Sequence, residues 1–359
     1  MHKFLNLFKS QNDDGSPKYP SSLLKRYRVN RKVLGVGSFA VVKLCHDKST
    51  GEEFALKILA KAAYKGKEQM LNTELDVLKR VRHQYIVSLR DLFETKDGVF
   101  IVQDLASGGE LFQRLMEKGS YTEKDASKLV KQVLEGIAYL HDMEIVHRDL
   151  KPENLLFRNQ SEDSDLLITD FGLSKIINNN ILFTACGTPQ YVAPEVLLQT
   201  GHGKPVDMWS LGVIVYAMLC GYTPFWGEDQ ASLFDAIMEG SFEYEEDYWS
   251  EISNEAKDLI NRLLTRDPRQ RITAREALAH PWIVQETKSE VNLLANVRVN
   301  FNGRKTLRKA VQAVAAARRL KRDSLLPSPS DGPTEDVDTD TDITDSASPS
   351  EAAYDRALQ

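Results

Sequence analysis

From Tyr27 onward a strand pattern runs into a glycine turn and emerges as another strand, and that order restricts the fold more than any other stretch. YRVNRKVLG alternates, GVGSFA follows, and VVKLCHDKSTGEEFALKIL carries Val41, Val42, Leu44, Phe54, Ala55, Leu56 and Ile58 at β-type apolar density, broken by the turn at Thr50-Gly51. A dinucleotide-binding fold needs a helix directly after its glycines. A strand stands there instead, so that reading fails on context. The period then changes. Leu71, Leu75, Leu78 and Val81 fall at helical spacing. Thr122-Glu123-Lys124-Asp125 reads as a capping box, opening a helix with Ala126, Leu129, Val133, Ile137 and Leu140 on one face. Strand-rich and then helix-rich segments predict an α+β chain.

That second helix leads to His147-Arg148-Asp149-Leu150-Lys151-Pro152-Glu153-Asn154. Eight residues carry a carboxylate, a lysine and an amide-bearing asparagine. Phosphoryl transfer asks for such a set: a carboxylate to orient the attacking hydroxyl and accept its proton, a cation to offset charge, and an oxygen ligand to help hold magnesium. Taken alone, the octapeptide could be a charged surface loop. Its partners make that untenable. Asp170-Phe171-Gly172 follows a strand, and Ala193-Pro194-Glu195 comes next. Asp207-Met208-Trp209-Ser210 opens an apolar helix through Tyr216 and Leu219, and His280-Pro281-Trp282 closes the series. With Gly35, Gly37 and Lys57 upstream, the chain resembles the eukaryotic protein kinases over residues 27–283. Lys151 and GTPQYVAPE are similar to the serine/threonine class. SGGELF, HRDLKPENLLF, TACGTPQYVAPEVL and DMWSLGVIVYAMLCGYTPF resemble the calcium/calmodulin-dependent kinases, most closely types I and IV.

The resemblance implies a bilobal protein kinase fold, with a β-rich small lobe and a mainly helical large lobe, using ATP and Mg²⁺ on protein substrates. The glycine hairpin would cover the ATP phosphates, through Leu34, Gly35, Val36, Gly37, Ser38, Phe39, Ala40, Val41 and Val42. Gly35 and Gly37 let backbone amides approach phosphate oxygens without a Cβ in the way. Ala40 stands at the third glycine of that pattern. Ala55 and Lys57 lie on the third strand, and Glu74 on the first helix would pair with Lys57 and position it on the phosphates. Gln103 would guard the back of the pocket. Asp104, Leu105 and Ala106 would offer backbone groups to adenine, and Leu156 also joins the nucleotide set. Asp149 orients the substrate hydroxyl, Lys151 stabilises the moving phosphoryl group, and Asn154 and Asp170 hold magnesium. His147 packs and orients, and Arg271 pairs with Glu195. Glu110 and Glu153 would bind an arginine three residues before the phosphoacceptor, with a solvated surface acid as the lesser reading of each. Thr184 would be phosphorylated by an upstream activating kinase and pair with Arg148.

Residues 284–303 place Leu293, Val297 and Phe301 on an amphipathic helix without an obvious place in the catalytic core. GRKTLRKAVQAVAAARRLKR follows, with eight Lys or Arg and no acid across residues 304–322. Leu307, Val311 and Val314 share one face, and Leu320 projects elsewhere. Two apolar anchors on a basic helix suit an acidic, two-lobed, groove-lined partner. By resemblance, residues 284–322 would block the cleft until Ca²⁺–calmodulin removes them. Leu307 stands where type I enzymes usually carry Trp. The rival readings are a nuclear-localisation patch, a docking site for a stress-pathway kinase and a solvated basic helix.

Residues 1–22 read as a flexible leader and 323–359 as a disordered acidic tail. The net charge of −6 argues against general nucleic-acid affinity, and no apolar run approaches a membrane helix. Cys45, Cys186 and Cys220 are too few and too far apart for a disulfide framework or zinc site. The expected protein is a monomer of the cytoplasm, with the nucleus as an additional location. The alternatives are a constitutive or stress-activated kinase without calmodulin control, and a catalytically dead scaffold.

Overall fold

In the computed structural model, residues 18–36, 40–66, 68–170, 189–285 and 290–300 are described, apart from the side chains of Met70, Thr73 and Glu74. The small lobe begins with a short helix, α1 (Ser21–Arg26), whose Leu23 is fully buried. Strands β1 (Tyr27–Val36), β2 (Ala40–Asp47), β3 (Glu53–Ala60), β4 (Leu89–Glu94) and β5 (Gly98–Asp104) form a five-stranded antiparallel sheet in the order β1-β2-β3-β5-β4. Packed structure therefore reaches back into residues expected to be leader. Tyr19 meets the Phe100 ring edge-on, and its hydroxyl accepts from Lys43 Nζ at 3.0 Å.

Strand alternation gives this sheet two faces. Leu23, Tyr27, Val41, Cys45, Phe54, Leu56, Ile58, Phe100 and Val102 form a core on the outer face. Leu59 and Ile101 face the other way, with Leu71, Leu75 and Leu78 of α2 (Glu68–Arg80), and join the core that runs into the large lobe. The apolar residues of α2 predicted at helical spacing are thus its buried stripe.

After β5 the chain crosses to α3 (Leu111–Glu117) through Gly108 and Gly109. A side chain is excluded at the first and strained at the second. A Cβ on Gly108 would lie 2.1 Å from the Asn159 carbonyl oxygen, and Gly109 has φ +90°. Helix α4 (Glu123–Asp142) starts at the predicted capping box: Thr122 Oγ1 accepts from Asp125 N–H, and Asp125 accepts from Thr122 N–H at 2.9 Å. Its Glu123 is fully buried, accepting from Trp282 Nε1 at 2.7 Å and from the N–H and hydroxyl of Ser253. The end of the matched motif series, His280-Pro281-Trp282, is thereby fastened to the start of α4.

A two-stranded ribbon, β6 (Leu155–Phe157) and β7 (Leu166–Ile168), lies between α4 and the later helices. Those are α5 (Pro194–Leu197), α6 (Pro205–Cys220), α7 (Gln230–Glu239), α8 (Glu246–Trp249), α9 (Asn254–Leu263), α10 (Ala274–Leu278) and α11 (Pro281–Val284). Nearly every residue of α6 is buried, as its apolar sequence requires. Bidentate pairing of Arg271 with Glu195, at 2.6 and 3.0 Å, lies in the interior as expected, and Arg271 stacks over Trp209.

Residues 290–300 correct one expectation. They have a defined place on the large lobe. Leu293, Leu294 and Val297 are buried in the main core, and Leu293 N–H donates to Tyr121 O at 2.8 Å. Arg298 donates to the Met116 and Lys118 carbonyls, and Asn300 Nδ2 to Cys220 O at 2.8 Å. Gly221, which ends α6 at φ +88°, has Val297 backbone 2.5 Å from where its Cβ would stand. Burial depends on partners distant in sequence, so the apolar spacing of this stretch gave no sign of them.

Candidate active site

The loop between α4 and β6 is held from below by one carboxylate. Asp207, in the first turn of α6, accepts from His147 N–H and Arg148 N–H at 2.8 Å each, and meets His141 Nε2 at 2.8 Å. Asp207 is 1% exposed, so these bonds form out of competition with water. Arg148 stands at φ +65° and Asp170 at φ +58°, in a region that residues with a Cβ occupy at a cost. The surrounding bonds hold both there. His147 is fully buried. Its Nε2 lies 2.9 Å from the Thr169 carbonyl and its Nδ1 accepts from Asp149 N–H at 3.3 Å, which fixes the proton on Nε2. His147 packs and orients, as its place in the octapeptide suggested. Thr169 N–H in turn donates to Asn154 O at 2.9 Å. One histidine thus ties the octapeptide to the chain that leads into Asp170.

Above this frame the reactive side chains converge. Lys151 Nζ lies 3.0 and 2.8 Å from the two carboxylate oxygens of Asp149. Asn154 Nδ2 donates to Asp149 O at 2.7 Å and to Asp149 Oδ2 at 3.2 Å. With its amino group committed, Asn154 has its amide oxygen left to act as a ligand. From the small lobe, Lys57 on β3 reaches down and pairs with Asp170 Oδ1. Lys57 is 7% exposed. Partial desolvation pushes the Asp170 carboxyl up, but the charge of Lys57 and its hydrogen bond, with Lys151, outweigh that and hold it below the usual aspartate value. Asp170 is therefore an anion at neutral pH.

The pocket behind these groups is a cavity of about 20 Å³ lined by Lys57, Leu78, Val87, Leu89, Ile101, Gln103 and Asp170. Gln103, expected as the guard of a nucleotide pocket, is among the residues that line this cavity. Ala55 and Val42 lie on the Lys57 face of the sheet: Val42 pairs with Lys57 across β2 and β3. Gly35 pairs with Val42 and Val36 with Val41 at the turn end of the hairpin, where Leu34 is 40% and Val36 51% exposed. Ala40 is half-buried against the main core. Val41 corrects an expectation. Alternation turns its side chain into the outer core, away from the cleft. Leu156 lies between the buried Leu155 and Phe157 on β6 and is half-buried on the opposite face. Asp104 and Ala106 are half-buried where β5 leaves the sheet.

Glu110 and Glu153 are both exposed, and neither forms an ion pair among the described residues. Arg148 Nε donates to the His202 carbonyl at 3.2 Å. Gly37, Ser38, Phe39, Thr184, Leu307, Val311, Val314 and Leu320 lie outside the described residues, as does the side chain of Glu74.

Asp170 and Asn154 offer a carboxylate and an amide oxygen, hard donors that fit Mg²⁺. Among the described residues no group of three or more His, Cys, Asp or Glu could hold a metal by itself. Two protein ligands suit an ion that keeps water and draws its remaining ligands from substrate phosphates. Asp207 was readable only as the start of a helix. The signal was there: a single acid in the first turn of a segment otherwise apolar all round.

The family profile of the protein kinase domain matches residues 27–283. Calcium/calmodulin-dependent protein kinase type 1 of Caenorhabditis elegans is 47% identical over 319 residues, covering 88% of this chain and 91% of that protein. Calcium/calmodulin-dependent protein kinase type 1B of Homo sapiens is 46% identical over 301 residues, 83% of this chain and 88% of that protein. Calcium/calmodulin-dependent protein kinase cmkB of Emericella nidulans is 47% identical over 313 residues, covering 84% and 77%.

Proposed function

This chain belongs to the protein kinase family, as a serine/threonine kinase of the calcium/calmodulin-dependent type 1 group, and on that premise we propose how it selects substrates and how it is switched. The observation that carries the catalytic reading is the convergence of Asp149, Lys151, Asn154 and Asp170 with Lys57 from the other lobe. Asp149 orients the substrate hydroxyl and takes its proton. Lys151, already on that carboxylate, offsets charge on the transferring group. Lys57 binds the phosphates of ATP. Asn154 and Asp170 would hold Mg²⁺, which when bound neutralises charge on the phosphate oxygens.

Substrates are proteins with an arginine three residues before the acceptor, read by Glu110 and Glu153. Support comes from their exposure and from the lack of a competing ion pair among the described residues. A peptide series tests it: removing that arginine lowers kcat/KM roughly tenfold or more, and an unchanged value refutes it.

Control comes from two events. Residues C-terminal to the kinase domain block the cleft until Ca²⁺–calmodulin takes them away, and an upstream kinase phosphorylates Thr184, whose phosphate pairs with Arg148. Residues 290–300 are fastened to the large lobe, so the part released is the chain beyond Asn300. Peptide phosphorylation by the full-length protein with and without Ca²⁺–calmodulin decides this. Equal rates sink the proposed control, and an unchanged stimulated rate in Thr184→Ala with the activating kinase present sinks the phosphorylation switch.

A further inference from the structure

The end of β5 is clasped by β4 through a residue that regular pairing leaves over. Leu89 pairs with Gln103 and Asp91 with Val102, so Arg90 is the extra residue of a bulge. A bulge re-aims a side chain that alternation would otherwise have fixed. Arg90 Nε donates to Asp104 Oδ1 at 2.7 Å. Its guanidinium lies 5.7 Å from the centre of the Phe54 ring, and Phe54 is the residue paired with Asp104 across β3 and β5. The second carboxylate oxygen of Asp104 accepts from Ser88 N–H at 3.1 Å, and Asp104 N–H donates to Ser88 O at 3.0 Å.

Three groups of Asp104 are therefore committed to β4 and the residue before it: the N–H and both carboxylate oxygens. The backbone is fixed at the point where the chain leaves the sheet and crosses to the large lobe. A plain strand end would not need this. It frays where the ladder stops, and its last residue wanders. Here the last residue is pinned on one side by Ser88 and on the other by a guanidinium that itself rests on Phe54.

We propose that Arg90 and Asp104 are a positioning pair for the purine base of ATP, holding the backbone of residues 104–106 in the place that recognises the 6-amino group. This rests on the reading of those residues as the segment that contacts the base. Neither side chain acts on the reacting atoms. Both act by keeping backbone groups where a hydrogen bond to the base is short, and a site built to hydrogen-bond a substrate group rejects an analogue that lacks it.

The test compares ATP with purine riboside triphosphate, which has hydrogen in place of the 6-amino group, in the full-length protein. The wild type favours ATP by about tenfold or more in kcat/KM. In Asp104→Ala that preference narrows by about threefold or more, through the KM for ATP, while the KM for peptide stays within about twofold. Arg90→Ala narrows it less, and Asp104→Asn, which keeps an acceptor for Ser88 N–H, falls between. Arg90 is 52% exposed, so its variant folds even if Asp104→Ala does not. A wild type that discriminates while both alanine variants keep the full preference overturns the positioning pair. A wild type that does not discriminate overturns the base-contact reading and this inference with it.

Discussion

Asn154 grips Asp149 through its backbone oxygen as well as its carboxylate, so Asp149→Asn leaves the loop built and removes the proton acceptor. Its kcat falls roughly 100- to 10,000-fold while ATP still binds, which steady-state kinetics and a nucleotide-binding measurement separate. Arg271→Ala acts elsewhere. It leaves Glu195 buried without its partner and strips donors from the carbonyls of Thr265 and Pro205. Loss of one half of a buried pair costs about 3–5 kcal/mol, read as a lower midpoint in chemical denaturation. Asp149, Asn154 and Glu195 were legible in the sequence because each belongs to a short motif of fixed spacing, and Arg271 through the family resemblance. Val41 was legible only in part. Its hairpin was identified, but which face it takes depends on strand register, and adjacent residues point to opposite sides.

At the scale of elements, α1 and the turn after β2 act as one unit. Asp47 accepts from the hydroxyl and N–H of Ser49 and from Arg26 of α1. The Ser49 hydroxyl first, then its N–H, with Arg26, hold the Asp47 carboxyl down at about 2. A folded-state value below the unfolded one stabilises above about pH 4, and that contribution is lost as pH falls toward 2. The melting temperature of the wild type should therefore drop across that interval, and Asp47→Asn should flatten the drop. Leu23→Ala tests the same unit from its apolar side. It empties a fully buried site in the outer core and costs about 2–5 kcal/mol. Neither residue stood out beforehand. A six-residue helix has too few turns to show a period, and its partners lie on strands further along. The long helices were plain because their apolar stripes repeat.

For the molecule as a whole, the decisive question is where the catalytic body ends. A chain stopped after Asn300 keeps the contacts of Leu293, Val297 and Arg298 and should melt with the full-length protein. One stopped at residue 289 loses them and uncovers Tyr121 and the end of α6. It should melt at a lower temperature by differential scanning fluorimetry, with a loss of several kcal/mol on the order of one to two buried leucines. Equal melting of the two would contradict the packing described. The lobes and their order were readable from strand and helix periods. Attachment of residues 290–300 was not, because it is written in backbone carbonyls at Met116, Lys118 and Cys220 that have no sequence signature.

Val297 against Gly221 also fixes an order of events during synthesis. Domains fold largely as units while the chain grows from its N-terminus. Helix α6 and its capping Gly221 are synthesised before Val297, which packs on that glycine from on the order of eighty residues further along the chain. A nascent kinase body thus has the seat of Leu293, Leu294 and Val297 unfilled until that later stretch of chain is made. Messages truncated just beyond the motif series would leave that seat open to chaperones and proteases.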